Sequence, residues 1–170
     1  MEKSDVLIRR AEQADVDAIV DIWHQLMDDH ARRDPSYWGL IPEMEARRIY
    51  AEYKSNILES PDYVHLVAVV DNKVVGYING SRITRPPIFL KTEAGRINEI
   101  VVDRGHRRLG VARLLLSAIF KEFAERGFQY TDLMVDKDNP GAIELYKSMG
   151  FDSREFHLIK RLDAQRGDME

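Results

Sequence analysis

Residues 107–112, Arg-Arg-Leu-Gly-Val-Ala, set two cations and two small residues directly ahead of the Leu-rich run ARLLLSAIFKEF. A helix N-terminus presents unpaired backbone N–H groups and a partial positive charge, which suits phosphate. Small residues let a bulky anion approach that backbone, and Gly110 can take a positive φ. Arg107 and Arg108 add cations at the rim, where bidentate phosphate contacts are geometrically natural. The stretch reads as a pyrophosphate cradle made by the backbone of Arg108, Leu109, Gly110, Val111 and Ala112, or else as a basic turn before an ordinary core helix. Its spacing matches neither the Walker loop nor the three-glycine dinucleotide fingerprint. Elsewhere, Asn139 before Pro140 has the form of a helix N-cap with proline at N1. The five histidines (His24, His30, His65, His106, His157) show no ligand-like pairing, so no metal is expected.

The elements that must position these residues follow from periodicity and punctuation. Residues 6–11 form a short strand. Over 15–31, Val16, Ile19, Val20, Trp23 and Leu26 recur at helical spacing. Pro35, Gly39 and Pro42 break that helix, and a second is expected over 43–58. The runs HLVAVV and KVVGYINGS flank Asp71-Asn72, a pair suited to a tight hairpin. Pro86-Pro87 excludes regular pairing in the next segment. RINEIVV is a strand, the Gly110 helix ends at Gly127, and YTDLMV is a strand. NPGAIELYKSMGF supplies a short helix stopped by Gly150, and EFHLIKRL a last strand. The order β-α-α-β-β-β-α-β-α-β predicts an α/β (α+β) mixed sheet flanked by helices. Its crossover through the long helix should join two parallel strands. Residues 1–163 are expected to form a single domain, and 164–170 a frayed tail.

Two motifs in this order resemble the GCN5-related N-acetyltransferase (GNAT) superfamily. RRLGVA matches its acetyl-CoA loop, Arg/Gln-x-x-Gly-x-Gly/Ala, between a strand ending in Val and a Leu-rich helix. NPGAIELYKSMGF is similar to its second signature, Asn-x-x-Ala-x-x-x-Tyr-x-x-x-Gly-Phe. The resemblance covers nearly the whole chain. It implies the GNAT-like fold, with acetyl-CoA as cosubstrate and direct transfer of its acetyl group to a primary amine in a ternary complex.

The resemblance also implies roles. The strand before the loop would splay from its parallel neighbour, leaving Ile100, Val101 and Val102 to pair with the pantetheine arm. Main-chain amides there would polarise the thioester carbonyl. Asn139 would contact the cofactor arm. A lysine-like amine is mostly protonated at neutral pH, and freeing its lone pair costs about 4 kcal/mol, so a carboxylate base is useful. Glu99 is the candidate, expected on one strand face with Ile97 and Val101. The position often assigned as base in relatives can be the adjacent one, here Asn98, which cannot act as a base. Tyr146 matches the tyrosine placed near the cofactor sulfur. Its phenol is a weaker acid than a thiol by about 2 kcal/mol, so hydrogen bonding to the developing thiolate describes its role.

The acceptor wall is expected in residues 27–42, where His30, Tyr37 and Trp38 offer an apolar or cation–π surface. Asp28, Asp29 and Asp34 are offset there by Arg32 and Arg33. The acceptor, small molecule or peptide, is not named by these residues; polyamine, amino acid, antibiotic, protein N-terminus and lysine all stay open. A non-catalytic acetyl-CoA sensor is the alternative reading. TRPPIFLK has an apolar tip suited to a groove lip or a homodimer contact. Composition agrees with an ordinary folded domain: 170 residues, 44% apolar, 32% charged. The absence of cysteine excludes disulfides and any acetyl-cysteine intermediate. A net charge of −4 argues against nucleic acid as partner. No apolar run is long enough to span a bilayer, and the reading defaults to the cytoplasm.

Overall fold

A computed structural model describes residues 5–160. Strand β1 (Leu7–Arg10) leads through a 3-10 turn into helix α1 (Val16–Arg33). The helix buries Val16, Ile19, Val20, Ile22 and Trp23, the stripe that its spacing predicts. Pro42 precedes α2 (Glu43–Leu58), whose buried residues Ala46, Tyr50 and Lys54 recur every four positions. Strands β2 (Tyr63–Val70) and β3 (Lys73–Thr84) meet at Asp71 and Asn72, with φ of 48° and 61°. Both values are left-handed, as a tight hairpin with right-handed strand twist requires.

Residues 85–92 separate β3 from β4 (Glu93–Val102), consistent with the two prolines. Helix α3 (Val111–Glu125) then crosses to β5 (Thr131–Leu133), and α4 (Pro140–Ser148) follows. The sheet runs β1 to β5 in chain order. The first three pairings are antiparallel, and β4–β5 is parallel as the crossover predicts.

Each sheet face carries its own core. On one, α3 packs Val111, Leu115, Leu116, Ile119 and Phe123 against Val64, Leu66, Ile78 and Ile97, with Leu145 and Tyr146 of α4 at its edge. On the other, α1 and α2 cover Val67, Tyr77 and Val101. The rings of Trp23 and Tyr50 stack at 4.0 Å to tie these two helices together.

The expected last strand is not formed over 155–160. Phe156 and Leu158 are 93% and 88% exposed and Ile159 is exposed beside them, so neither face of the alternation is covered. An unburied strand lacks the packing that makes β structure favourable. The rest of that expected strand, and the expected frayed tail 164–170, lie outside the described residues. Among the described residues, no helix is long and apolar enough to cross a membrane.

Candidate functional site

The loop after β4 begins at Asp103, whose carboxylate accepts from Gly105 N and His106 Nδ1 and from Gln25 of α1. Hydrogen bonds from Gln25 and then His106 hold its carboxyl below the usual range. Two residues further on are left-handed, Arg108 at φ 65° and Gly110 at φ 84°. This kink turns the chain so that Gly110 becomes the N-cap of α3. A Cβ placed on Gly110 meets nothing within 4 Å, so the backbone there faces open space. That space is a cleft of about 540 Å³ between α3 and α4. Ile100, Val102, Arg107, Arg108, Gly110, Val111, Ala112 and Tyr146 line it, as do Gly141 and Leu145.

The two arginines differ. Arg107 donates from Nε to the Val102 carbonyl at 3.0 Å and from Nη2 to Asp29 at 3.0 Å. Asp29 also accepts from Arg104 at 2.8 Å. Burial opposes the charge on Asp29, but the two arginines outweigh it and hold its carboxyl below the usual range. Arg107 therefore braces the loop against the end of α1, while Arg108 lines the cleft without a recorded ion pair among the described residues. Arg113, one turn into α3, donates to Ser148 and so ties α3 to α4.

Strands β4 and β5 pair only at Gly95↔Thr131, Arg96↔Asp132 and Ile97↔Leu133. Beyond Ile97 they part. Ile100, Val101 and Val102 keep β3 on one side, opposite Ile78, Tyr77 and Gly76, and among the described residues have no strand on the other. The free edge runs into the cleft. Val101 pairs with Tyr77 of β3, and its side chain is buried against α1 and α2 and does not line the cleft. Leu109 is 64% exposed and also stands outside the lining.

Asn98 is an extra residue in β4. Asn79 lies opposite Glu99 and Gly80 opposite Ile97, so one step of β3 spans two of β4. This β-bulge corrects the expected face of Glu99. Ile97 packs on the α3 side and Val101 on the α1–α2 side, and Glu99 goes with Val101 alone. Its Oε2 accepts from Tyr50 Oη at 2.7 Å, Lys54 Nζ at 2.7 Å and Asn79 Nδ2 at 2.6 Å, with Tyr77 Oη at 3.3 Å. Oε1 has no recorded hydrogen bond to any described residue, and the side chain keeps 22% exposure. The four partners were not visible as a group in the sequence. One signal was there: Lys54 continues the buried stripe Ala46, Tyr50 of an amphipathic helix, where a lysine is out of place.

Burial pulls the Lys54 ammonium below the ordinary lysine range, and Glu99 works against that pull. His65 of β2 lies beside this cluster; burial first, then Lys54, push its imidazole down to about 4. Its Nε2 is buried without a hydrogen-bond partner among the described residues. Across the cleft, Tyr146 packs on Phe151, and burial raises its phenol to about 12. Asn139 uses its side-chain oxygen to cap α4, accepting from Ala142 N at 3.2 Å. At the end of α1 the expected acceptor wall assembles as an aromatic group. His30 stacks on Trp38 at 4.4 Å, and Tyr37 meets Trp38 edge-on at 5.0 Å. Burial, then Arg33, lowers the His30 imidazole, while Asp136 beyond β5 acts in the opposite sense.

A parallel strand pair thus opens beside a kinked helix N-terminus whose free amides suit an anion. Residues 23–151 match the acetyltransferase (GNAT) family, and the chain belongs to it. It is 31% identical over 168 residues to an N-alpha-acetyltransferase of Sulfurisphaera tokodaii, covering 95% of this chain and 87% of that one. It is 34% identical over 77 residues to MJ1207 of Methanocaldococcus jannaschii, an uncharacterized N-acetyltransferase. That match covers 42% of this chain and spans about a third, 34%, of that relative's length. Among solved structures, a predicted acetyltransferase with acetyl-CoA from Clostridium acetobutylicum superposes with a TM-score of 0.72 at 22% identity. The superposition covers 92% of this chain and 96% of that one, a likeness of fold.

The family uses acetyl-CoA, and the residues present fit it. The open, left-handed backbone at Gly110 leaves room for a pyrophosphate over the first turn of α3, and the bare edge of β4 leaves amides for an extended arm.

Proposed function

We propose that this protein is an acetyl-CoA-dependent N-acetyltransferase whose acceptor is the free α-amine of a peptide or protein, with transfer in a ternary complex. Bound in the cleft, acetyl-CoA supplies an acetyl group activated as a thioester. The backbone of residues 108–112 and the Arg108 guanidinium hold the phosphates, and the Asn139 amide reaches the arm. Along Ile100, Val101 and Val102 the amides that face the free edge, those of Ile100 and Val102, polarise the acetyl carbonyl. Glu99 takes the acceptor's proton on Oε1, and Tyr146 donates a hydrogen bond to the sulfur. His30, Tyr37 and Trp38 wall the acceptor.

The observation that carries this reading is the pairing of a carboxylate that keeps one oxygen free with an acceptor wall whose acids are already spent. Asp28 and Asp29 pair with Arg104, and Asp29 with Arg107 and Arg32 as well. A polycation would find little net negative charge there, whereas a peptide N-terminus brings only a single positive charge. Its α-amine, with a pKa near ~8, loses a proton near neutral pH for about 1 kcal/mol, against about 4 kcal/mol for a lysine. The name of the Sulfurisphaera tokodaii relative, similar along most of its length, supports the same acceptor.

The test begins with melting temperature in acetyl-CoA, CoA and ATP, for the natural chain and for Gly110→Glu. A shift with the two CoA compounds that Gly110→Glu abolishes is the expected result. Free-thiol release is then measured with a peptide bearing a free N-terminus, the same peptide N-capped but carrying lysine, spermidine and an aminoglycoside. Release with the free N-terminus alone supports the proposal. Release with the polyamines alone overturns the acceptor, and a CoA shift without any release identifies a sensor.

A further inference from the structure

We propose that Lys54 is a positioning residue for Glu99, fixing the carboxylate so that Oε1 alone meets the acceptor amine; this rests on the reaction proposed above. The side chain of Lys54 is 1% exposed, and its recorded ion partner is Glu99. The rings of Tyr50, Tyr77 and Tyr53 surround its ammonium at 5.1, 5.4 and 5.9 Å. Such a cation contributes little as packing. A buried ion pair loses on desolvation much of what it gains by attraction, and apolar residues of similar volume often serve stability as well or better. What the ammonium does that a methionine cannot is aim a carboxylate.

The aim follows from where the donors sit. Tyr50 and Lys54 reach Oε2 from α2, and Tyr77 and Asn79 reach it from β3. Donors on two elements prevent the carboxyl from turning about its own axis, so Oε2 stays inward. Its acceptor capacity is used up there, and a proton leaving the acceptor's ammonium must land on Oε1. That transfer leaves a neutral amine and a neutral Glu99 still held by Lys54. The other titratable groups facing Glu99 are Tyr50 and Tyr53 on α2, Tyr77 on β3 and His65 on β2.

The experiment is a double-mutant cycle on the full chain with Lys54→Met, Glu99→Gln and both together, assayed with the free-N-terminus peptide. Lys54→Met is expected to lower kcat about tenfold or more while leaving KM for acetyl-CoA unchanged. In the Glu99→Gln background it should change nothing further, and Lys54→Arg should recover part of the loss. Equal slowing in both backgrounds would overturn the proposal, because it would mark a role unconnected with Glu99. Should Lys54→Met not fold, Lys54→Gln goes through the same cycle. A readout independent of turnover is the crystal structure of Lys54→Met, in which the Glu99 carboxyl should turn so that Oε2 leaves its place beside Tyr50 and Asn79. A carboxyl held as in the natural chain overturns the proposal even if no peptide is acetylated. Absence of transfer by the natural chain instead sinks the reaction and leaves the structure of the variant to decide on Lys54.

Discussion

Tyr146 owes its chemistry to its depth. With its phenol pushed up to about 12 by burial, proton transfer to a thiolate near ~8.5 would be uphill by about 5 kcal/mol. The same depth favours a neutral hydroxyl that donates a hydrogen bond without parting with its proton. Tyr146→Phe should therefore lower kcat by about tenfold to a hundredfold and leave acetyl-CoA affinity within about twofold by calorimetry. A kcat equal to that of the natural chain would remove Tyr146 from the reaction. Tyr146, Gly110 and Asn139 are readable in the sequence because each belongs to a short motif whose parts are sequence neighbours. The surroundings of Glu99 are not. Tyr50 and Lys54 lie on α2, Tyr77 and Asn79 on β3, and they converge only when α2 docks on the sheet. Asp29 escapes for the same reason: residues 29, 104 and 107 meet through the end of α1.

At the scale of elements, β2 carries a cost hidden in an otherwise ordinary strand. His65 alternates outward from the α3 core into the space under α2, stacking on Tyr63, and its Nε2 finds no hydrogen-bond partner among the described residues. Its imidazole titrates near 4 in the folded protein against about 6.5 in the unfolded chain. The unfolded chain therefore takes up the proton first as pH falls. Stability present above pH 6.5 is lost between 6.5 and 4, by about 3 kcal/mol. Urea unfolding at pH 7, 5 and 4 should show that extra loss in the natural chain, and His65→Leu should flatten it; equal slopes in both would discount His65. The hairpin and helix limits were legible because Asp71-Asn72, Pro42, Gly127 and Gly150 act locally. Strand pairing was less so. YTDLMV keeps only three paired residues, because β5 must part from β4 after Ile97, and a pattern of alternating residues does not reveal where a neighbour leaves.

The molecule as a whole is one sheet with two cores, and β4 serves both. Its lower half faces α3 through Ile97, its upper half faces α1 and α2 through Val101, and each parity is right for its own core. Asn98 is where the count changes. In effect β4 holds two reading frames spliced at one residue, and the splice, not either frame, puts a carboxylate on the side where an amine can reach it. A chain with one residue added to β3 between Asn79 and Gly80 gives Asn98 a partner and must choose a single frame. Keeping Ile97 in the α3 core would send the carboxylate of Glu99 in among Leu115 and Ile119; keeping Glu99 in place would turn Ile97 out of that core. That insertion should therefore lower the melting temperature sharply in either case, since an unpaired carboxylate in an apolar core, or a lost isoleucine, costs several kcal/mol. Deleting Asn98 instead joins Ile97 to Glu99 in unbroken alternation and leaves each on its own face. An insertion variant with an unchanged melting temperature would show that β4 tolerates both frames. Insertions and deletions in the rest of β4 are then errors of phase, and a second single-residue change placed next to the splice is the kind that can restore it.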